Sequence, residues 1–489
     1  MTRIADSSAT MASLDHPIPQ SSNTNLPARR IDAAGRAHVD LRAMFALALP
    51  LVANSAVQIV MSLTDVWFIG HISTEALAGV AAVHWMAIAV VLGLSGIGMA
   101  VQTVVAQTYG ARRYVRASQA VWIGLWGALL ATPLFVAIGL AGHGILSPFG
   151  LEPAIQDQAA AFWLPRVAGA PFGCATWAAL GFFNGIGRPR ITMLVTIVMA
   201  VGNALLNELF IFRFGWGVAG SGLATSVAQA CGLAVALAWF LSPQFRPRYR
   251  AHLSWRPQWA RILAQLKLGL PMGLMVAADL IGFSVFQVMM VRLGAVPGAA
   301  TQLVMVLTAF AYAPGVGIAM AGTTLVGQSI GAGDRHWALR LGNRAVAMSA
   351  FYMGGMGVLL ALSGPWLLPL FVAGSDPQAG AVVALAVKLL WFAAVYQFFD
   401  GLNLGSSFCL RGAGDTRVPA ILVLGLSWLL FLPMAHVLAF APGEGWFESL
   451  PGLGWGATGG WVAVILYIMI LGTVLWLRWR SRAWQALRL

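Results

Sequence analysis

The chain has 489 residues, 59% of them hydrophobic and only 9% charged, with a mean hydropathy of +0.79. Ordinary globular domains carry about 25% charged residues, so these proportions exclude a soluble globular fold. A net charge of +13 would suit nucleic-acid binding, but the cations gather at alternate connections between apolar runs, which is a membrane-topology pattern.

Residues 1–42 are rich in Ser, Thr, Asn, Pro and Ala; they read as a disordered cytoplasmic tail, not a cleavable signal peptide. Twelve apolar runs follow, at approximately 43–69, 77–105, 117–141, 159–184, 191–212, 217–241, 262–290, 298–326, 338–363, 380–408, 418–440 and 455–477. Crossing a bilayer as a helix takes roughly 20 residues. In hydrocarbon every backbone polar group needs an internal partner, so the expected fold is all-α and integral to the membrane, with twelve transmembrane helices. Alternate connections are basic, with Arg112, Arg113 and Arg116; Arg188 and Arg190; Arg246, Arg248, Arg250, Arg256 and Arg261; Arg335; and Arg411 and Arg417. The connections between them hold Glu75, Glu152, Asp157, Asp376, Glu444 and Glu448, with Arg213 and Arg292 as basic exceptions. Positive residues stay cytoplasmic, which places both termini inside a multi-pass protein of the cell (inner) membrane. Cys174, Cys231 and Cys409 fall within spans and read as packing residues, not a disulfide or metal site.

Two phrases recur. "VVAQTYGARR" at 104–113 is echoed by "LVGQSIGAGD" at 325–334. Gln107 and Gln328 stand 221 residues apart (328 − 107), as do Gly110 and Gly331, and the dipeptides Leu49-Pro50 and Leu270-Pro271. "NGIGRPR" at 184–190 returns as "RGAGDTR" at 411–417, with Gly185 and Gly412 separated by 227 (412 − 185). The chain is an internal duplication with a few inserted residues. Each half holds an even number of spans, so the halves are parallel repeats related by an axis along the membrane normal. The organisation expected is a first lobe over 43–241, a cytoplasmic linker over 242–261, a second lobe over 262–477 and a cytoplasmic tail over 478–489. Such halves enclose a midplane cavity that opens alternately to each side, which makes a transporter the leading class. The repeated phrases read as tight turns at the inner face, where glycine accepts positive φ. No strand precedes them and no Gly-Lys-Ser/Thr follows, so nucleotide hydrolysis has no visible home and no enzyme activity is expected.

Four acids fall inside spans: Asp65, Glu208, Asp279 and Asp400. A charge at bilayer depth costs at least about 2.5–3.5 kcal/mol, so each is a functional candidate. Asp65 comes late in the outward-running first span. Asn203 and Asn207 share one face of the fifth span, four residues apart, and Thr225 lies at similar depth in the sixth. These four make an oxygen-rich pocket for a hard cation or a proton; the plainer reading is that the amides and hydroxyl join helices by hydrogen bonds. Glu208 reads as an outer-rim salt-bridge partner of Arg213. Asp279 and Asp400 lie midway along spans seven and ten, with Tyr396 one turn from Asp400, a cation site to which the ring adds cation–π attraction; a proton-shared carboxyl pair that only holds two helices is the alternative. Lys388 and Arg166 are expected near outer span ends, where they snorkel. Met272, Met275, Met289, Met290, Met305 and Met320 cluster in the second half, as a permissive drug pocket or as ordinary packing.

These patterns resemble the multidrug and toxic compound extrusion (MATE) family over essentially all of the chain after residue 40. The resemblance rests on "LPLVANSAVQIVMSLTDVWFIG", "QTYGA", "GIGRPR", "NALLNELFIF" and "GVAGSGLAT" in the first half, and on "GLPMGLMVAAD", "GQSIGAGD", "AVYQFFD" and "LRGAGDTRVP" in the second. Asp279, eight residues after the Leu-Pro proline, and Tyr-Gln-X-X-Asp at 396–400 resemble the NorM-like branch. Asn207 stands where some DinF-like members have an acid. The resemblance implies two six-helix bundles in a V and secondary active export of amphipathic, mostly cationic drugs, driven by inward Na+ or H+. It implies a monomer in the bilayer, with no nucleic-acid partner and no cofactor beyond the coupling ion. Coupling is then expected at Asp65, Asn203, Asn207, Thr225, Asp279 and Asp400. Substrate contacts are expected at Asp279, Asp400, Tyr396, Met275 and Gln58, the last being the repeat counterpart of Asp279 (279 − 221). Competing readings are a major facilitator drug/H+ antiporter, for which "GAGDRHWALR" at 331–340 offers a loop motif that "YGARRYVRAS" does not repeat, and a lipid-linked oligosaccharide flippase, whose cavity should be basic. A membrane prenyltransferase would need Asp-rich loops, and the cytoplasmic loops carry only Asp334 and Asp415.

Overall fold

The computed structural model describes residues 26–33, 35–149, 152–372, 377–446 and 451–487. The first 25 residues of the expected tail, and the loop acids Asp376 and Glu448, lie outside the described residues. Among the described residues, twelve rods cross the molecule. The first half contains α1 (Leu41–Gly70), α2 (Thr74–Leu94) continued by α3 (Gly96–Gly110), and α4 (Tyr114–Leu140). After the short α5 (Gly142–Leu146) come α6 (Pro153–Ala168) continued by α7 (Ala170–Gly185), α8 (Pro189–Asn207) closed by a π turn (Glu208–Arg213), and α9 (Gly217–Phe240). A linker with α10 (Arg246–Tyr249) leads to α11 (Trp259–Arg292), α12 (Ala295–Gly331), α13 (Arg335–Leu367) and α14 (Ala379–Ala413). Then α15 (Arg417–Gly425) passes through a π turn (Leu426–Phe431) into α16 (Leu432–Ala439), and α17 (Gly456–Arg480) ends the second half.

Eleven helical stretches among the described residues are long and apolar enough to cross a membrane. The fourth rod falls short only because Gly169 divides it into two 16-residue helices. A Cβ on Gly169 would stand 2.1 Å from the Ser226 Oγ, so α9 presses into the break.

The N-terminal tail is ordered further than its composition predicts. Residues Arg29–Ile31 (β1) and Ala37–Val39 (β2) pair as an antiparallel hairpin, which corrects the expectation of disorder through residue 42. The hairpin is held by the second half: Leu26 is buried in that core, and Trp337 Nε1 of α13 donates to the Pro27 carbonyl at 2.9 Å. Local composition carries no sign of a partner that far along the chain. At the other end, Trp484 is buried and stacks on Trp479 with ring centres 4.7 Å apart.

The repeated phrases meet. Gly110 and Gly331 are helical, and positive φ falls two residues later, at Arg112 (57°) and Gly333 (87°), so the turn reading is off by that much. What these glycines permit is approach. A Cβ at 110 would stand 2.0 Å from the Gln328 carbonyl oxygen, and one at 331 would stand 1.9 Å from that of Gln107. The Gln107 amide Nε2 donates to the Gly412 carbonyl at 2.9 Å, and Gln328 Nε2 donates to the Gly185 carbonyl at 2.8 Å. The second glycines of the other phrase, Gly187 (φ 76°) and Gly414 (φ 89°), do take the left-handed turn conformation.

Further backbone contacts join the halves at Gly96 with Gly269, Gly93 with Gly273 and Val52 with Gly317. All of them lie in the half of the rods nearer the linker. The two six-rod bundles therefore converge at the linker end and diverge at the far end, as a V.

Candidate functional site

In the first lobe, α1, α8 and α9 bring the four expected residues together. Asn207 Nδ2 donates to Asp65 Oδ1 at 2.6 Å, and Thr225 Oγ1 donates to Asp65 Oδ2 at 3.4 Å. Asn207 Nδ2 also reaches Asn203 Oδ1 at 3.3 Å, and Asn203 Nδ2 reaches Thr225 Oγ1 at 3.3 Å. Asn203 and Asn207 are fully buried and Thr225 nearly so. Helical spacing explains the pairing of the amides, since residues four apart share a face. One atom is left over: among the described residues, the buried Asn207 Oδ1 has no hydrogen-bond partner. A buried acceptor in that condition costs roughly 1–3 kcal/mol, and a hard cation or a proton donor at the carboxylate would relieve it.

Two neighbours depart from expectation. Arg166 is not at an outer span end. It lies near the middle of the broken fourth rod, where its backbone meets α9 at Gly222, one turn before Thr225. Its charge acts on both Asp65 and His84, and its buried Nη1 has no partner among the described residues. The first-lobe site is therefore a carboxylate with an internal counter-charge nearby, not an isolated acid. Glu208 is exposed in the π turn and, among the described residues, forms no ion pair with Arg213.

The second-lobe site is built from four rods. Asp400 on α14 is 4% exposed and accepts from Asn403 Nδ2 at 3.0 Å. The α11 residue Asp279 accepts from the Tyr467 hydroxyl of α17 at 3.2 Å through Oδ1. The Tyr467 ring is stacked on Phe431 of the second π turn, ring centres 4.9 Å apart. Asp279 and Asp400 act on each other electrostatically, as Tyr396 acts on Asp400, and Tyr312 of α12 senses both acids. The site thus holds two carboxylates ringed by three tyrosines and one amide. Tyr312, Tyr467 and Asn403 were not anticipated. The available signal was that four of the chain's 7 tyrosines, Tyr312, Tyr352, Tyr396 and Tyr467, fall in mid-rod, and three of those four line this site.

The remaining assignments separate. Gln58 is exposed on α1 and does not join the second-lobe hydrogen bonds. Met275 is buried in the second-lobe core with Met289 and Met290, while Met272 packs with Ala100 and Leu268. Lys388 Nζ donates to Thr458 Oγ1 at 3.3 Å, near the outer end of α14. Cys174 and Cys409 are buried and Cys231 is exposed, all three as free thiols.

Comparison with known proteins agrees with this layout. The MatE family profile matches residues 50–209 and again 271–437, so each match opens on one of the two repeated prolines. A probable multidrug resistance protein NorM of Mesorhizobium japonicum is 31% identical over 469 residues, covering 92% of this chain and 97% of that protein. A protein of the same description from Pseudomonas aeruginosa is 32% identical over 459 residues, covering 91% and 90%. Among solved structures, the outward-facing conformation of a multidrug resistance MATE family transporter superposes with a TM-score of 0.79 at 19% identity, covering 91% of this chain and 96% of that one.

Proposed function

The chain is a NorM-like member of the MATE transporter family, and from that membership we propose that it exports amphipathic, mostly cationic compounds in exchange for inward H+ or Na+, by alternating access. The observation that carries this reading is the pair of carboxylate sites, one in each lobe, each tied by hydrogen bonding between different helices: Asn207 and Thr225 to Asp65 in the first, Tyr467 to Asp279 in the second. A driving ion shifts an equilibrium only by its differential affinity for the two states. A carboxylate that is open to water in one state and occluded in the other meets that requirement, because desolvation penalises its charge unless a cation or proton offsets it. A site built from several helices also changes its geometry whenever those helices move. The relatives' description as multidrug resistance proteins supports drugs as the exported class. The basic connections at the linker end support an orientation with that end in the cytoplasm of a cell membrane.

The test is efflux of ethidium or a fluoroquinolone from purified protein in liposomes, with Na+ and pH gradients imposed separately. Uphill efflux under one gradient is expected. No response to either would remove the exchange mechanism.

A further inference from the structure

The linker end of the first lobe is dense in cations, and from the end of α3 to the start of α11 it holds no acid. Between Glu75 and Asp279 the only acids are Glu152, Asp157 and Glu208, and all three belong to the far end, around the start of α6 and in the first π turn. Arg116 near the start of α4 is repelled both by Arg113, three residues before it, and by Arg261 at the start of α11. All three are exposed, and none forms an ion pair among the described residues.

The linker between the lobes is docked, not loose. It runs down the flank of α4. Ser118 Oγ donates to the Tyr249 carbonyl at 2.8 Å, Trp122 Nε1 to that of Ala251 at 2.8 Å, and Trp126 Nε1 to that of Trp255 at 2.7 Å. Arg248 lies 3.8 Å from the centre of the Tyr114 ring. Arg261 in turn donates to the Gln119 side chain, which fixes it beside the α4 arginines. The docked segment leaves Leu253, Trp255 and Trp259 exposed at 65%, 50% and 67%. Tryptophan is the residue favoured at the membrane–water boundary. Guanidinium groups gathered beside an apolar surface, one of them tied in place by Gln119, match a ligand with an anionic head and an apolar body. A small dissolved anion would neutralise the charge but leave the tryptophans uncovered.

We propose that this surface binds an anionic phospholipid, with its headgroup phosphate among Arg113, Arg116 and Arg261 and its apolar part against Leu253, Trp255 and Trp259. The bound lipid braces the strap that ties the two lobes together.

The experiment is native mass spectrometry of the full-length protein purified with equal amounts of phosphatidylglycerol and phosphatidylcholine. Wild type is expected to retain at least about threefold more phosphatidylglycerol, because clustered cations near a bilayer surface favour anionic lipid. The variant R113Q/R116Q/R261Q should lose the preference, and R113K/R116K/R261K should keep it. If the glutamine variant does not fold, W255A/W259A, with its cations intact, should still lose retained lipid. Excess inorganic phosphate should not displace the lipid. Equal retention of both lipids by wild type, an unchanged preference in R113Q/R116Q/R261Q, undiminished lipid retention in W255A/W259A, or displacement by phosphate alone would each overturn the proposal.

Discussion

Gln328 donates to the carbonyl of Gly185 across the lobe boundary at 2.8 Å, as its repeat counterpart Gln107 does to Gly412 at 2.9 Å. Each bond joins one repeated phrase to the other phrase in the opposite half. Together with the glycine contacts at 110 and 331 they close the linker end. A carrier that opens to that end must break both bonds at once, since the two are related by the duplication. Each neutral hydrogen bond contributes about 1 kcal/mol. The double variant Gln107→Ala, Gln328→Ala is therefore expected to lower the closed-to-open ratio roughly thirtyfold, at 1.4 kcal/mol per factor of ten. Spin labels at positions 113 and 335 should report a longer, broader separation in the variant; an unchanged distribution would mean that other contacts hold this end shut.

Gly331→Val tests the same closure from its steric side. Its Cβ would meet the Gln107 carbonyl oxygen at 1.9 Å, and overpacking of this kind typically costs about 1–3 kcal/mol. Thermal melting should show a loss of stability, or the spin labels a shift to the open arrangement. Wild-type behaviour in both assays would contradict the backbone contact.

Asp65→Asn is expected to reduce gradient-driven efflux at least about tenfold, the effect of roughly 1.4 kcal/mol, while leaving expression and melting near wild type. The amide preserves the shape that Asn207 and Thr225 grip but removes the charge. Asn207→Leu should be worse for stability, since it strips the donor from a carboxylate left behind without its partner. Full efflux by Asp65→Asn would take the first-lobe site out of the mechanism.

In the second lobe, Asp279→Asn and Asp400→Asn should each abolish the response to imposed gradients and weaken drug or ion binding in detergent. Tyr467→Phe removes one hydrogen bond to a carboxylate, worth about 1.5–3 kcal/mol, and leaves both acids in place. It should change affinity about tenfold or more without abolishing transport. Normal binding and normal gradient response in both Asn variants would show that the site lies elsewhere.

Single-cysteine labelling checks the orientation. Reagent added outside intact cells should modify positions 155 and 446 and spare 250 and 336. The reverse pattern would invert the topology.

The duplication, the span count and the first-lobe constellation were legible because they depend on signals internal to the chain: apolar run length, the 221-residue offset, and the four-residue spacing of Asn203 and Asn207. The second lobe was half legible. Asp279, Asp400 and Tyr396 announce themselves as polar groups at span centres, but Tyr312 and Tyr467 arrive from α12 and α17, and only packing decides which face of a rod meets which neighbour. Arg166 was misplaced because hydropathy marks the fourth span from residue 159, whereas the helix starts at Pro153. The hairpin at 29–39 escaped for a different reason. Its stabilising partner is α13, and short-range composition has no access to a contact closed over such a distance.

The π turn at Leu426–Phe431 contains one residue more than an α-helix of the same rise requires. The wide turn absorbs that residue without a change of phase, whereas removing one from the regular helix before it, Arg417–Gly425, would rotate everything that follows by about 100°. Phe431 would leave the Tyr467 ring, and with it would go the prop that holds the phenol on Asp279. Exchanging one lipid-facing side chain for another, as at the 82% exposed Leu429, leaves that prop in place. The eleventh rod therefore tolerates changes of spelling but not of letter count. What it supplies to the second-lobe carboxylates is a phase, set by the number of residues between Arg417 and Phe431.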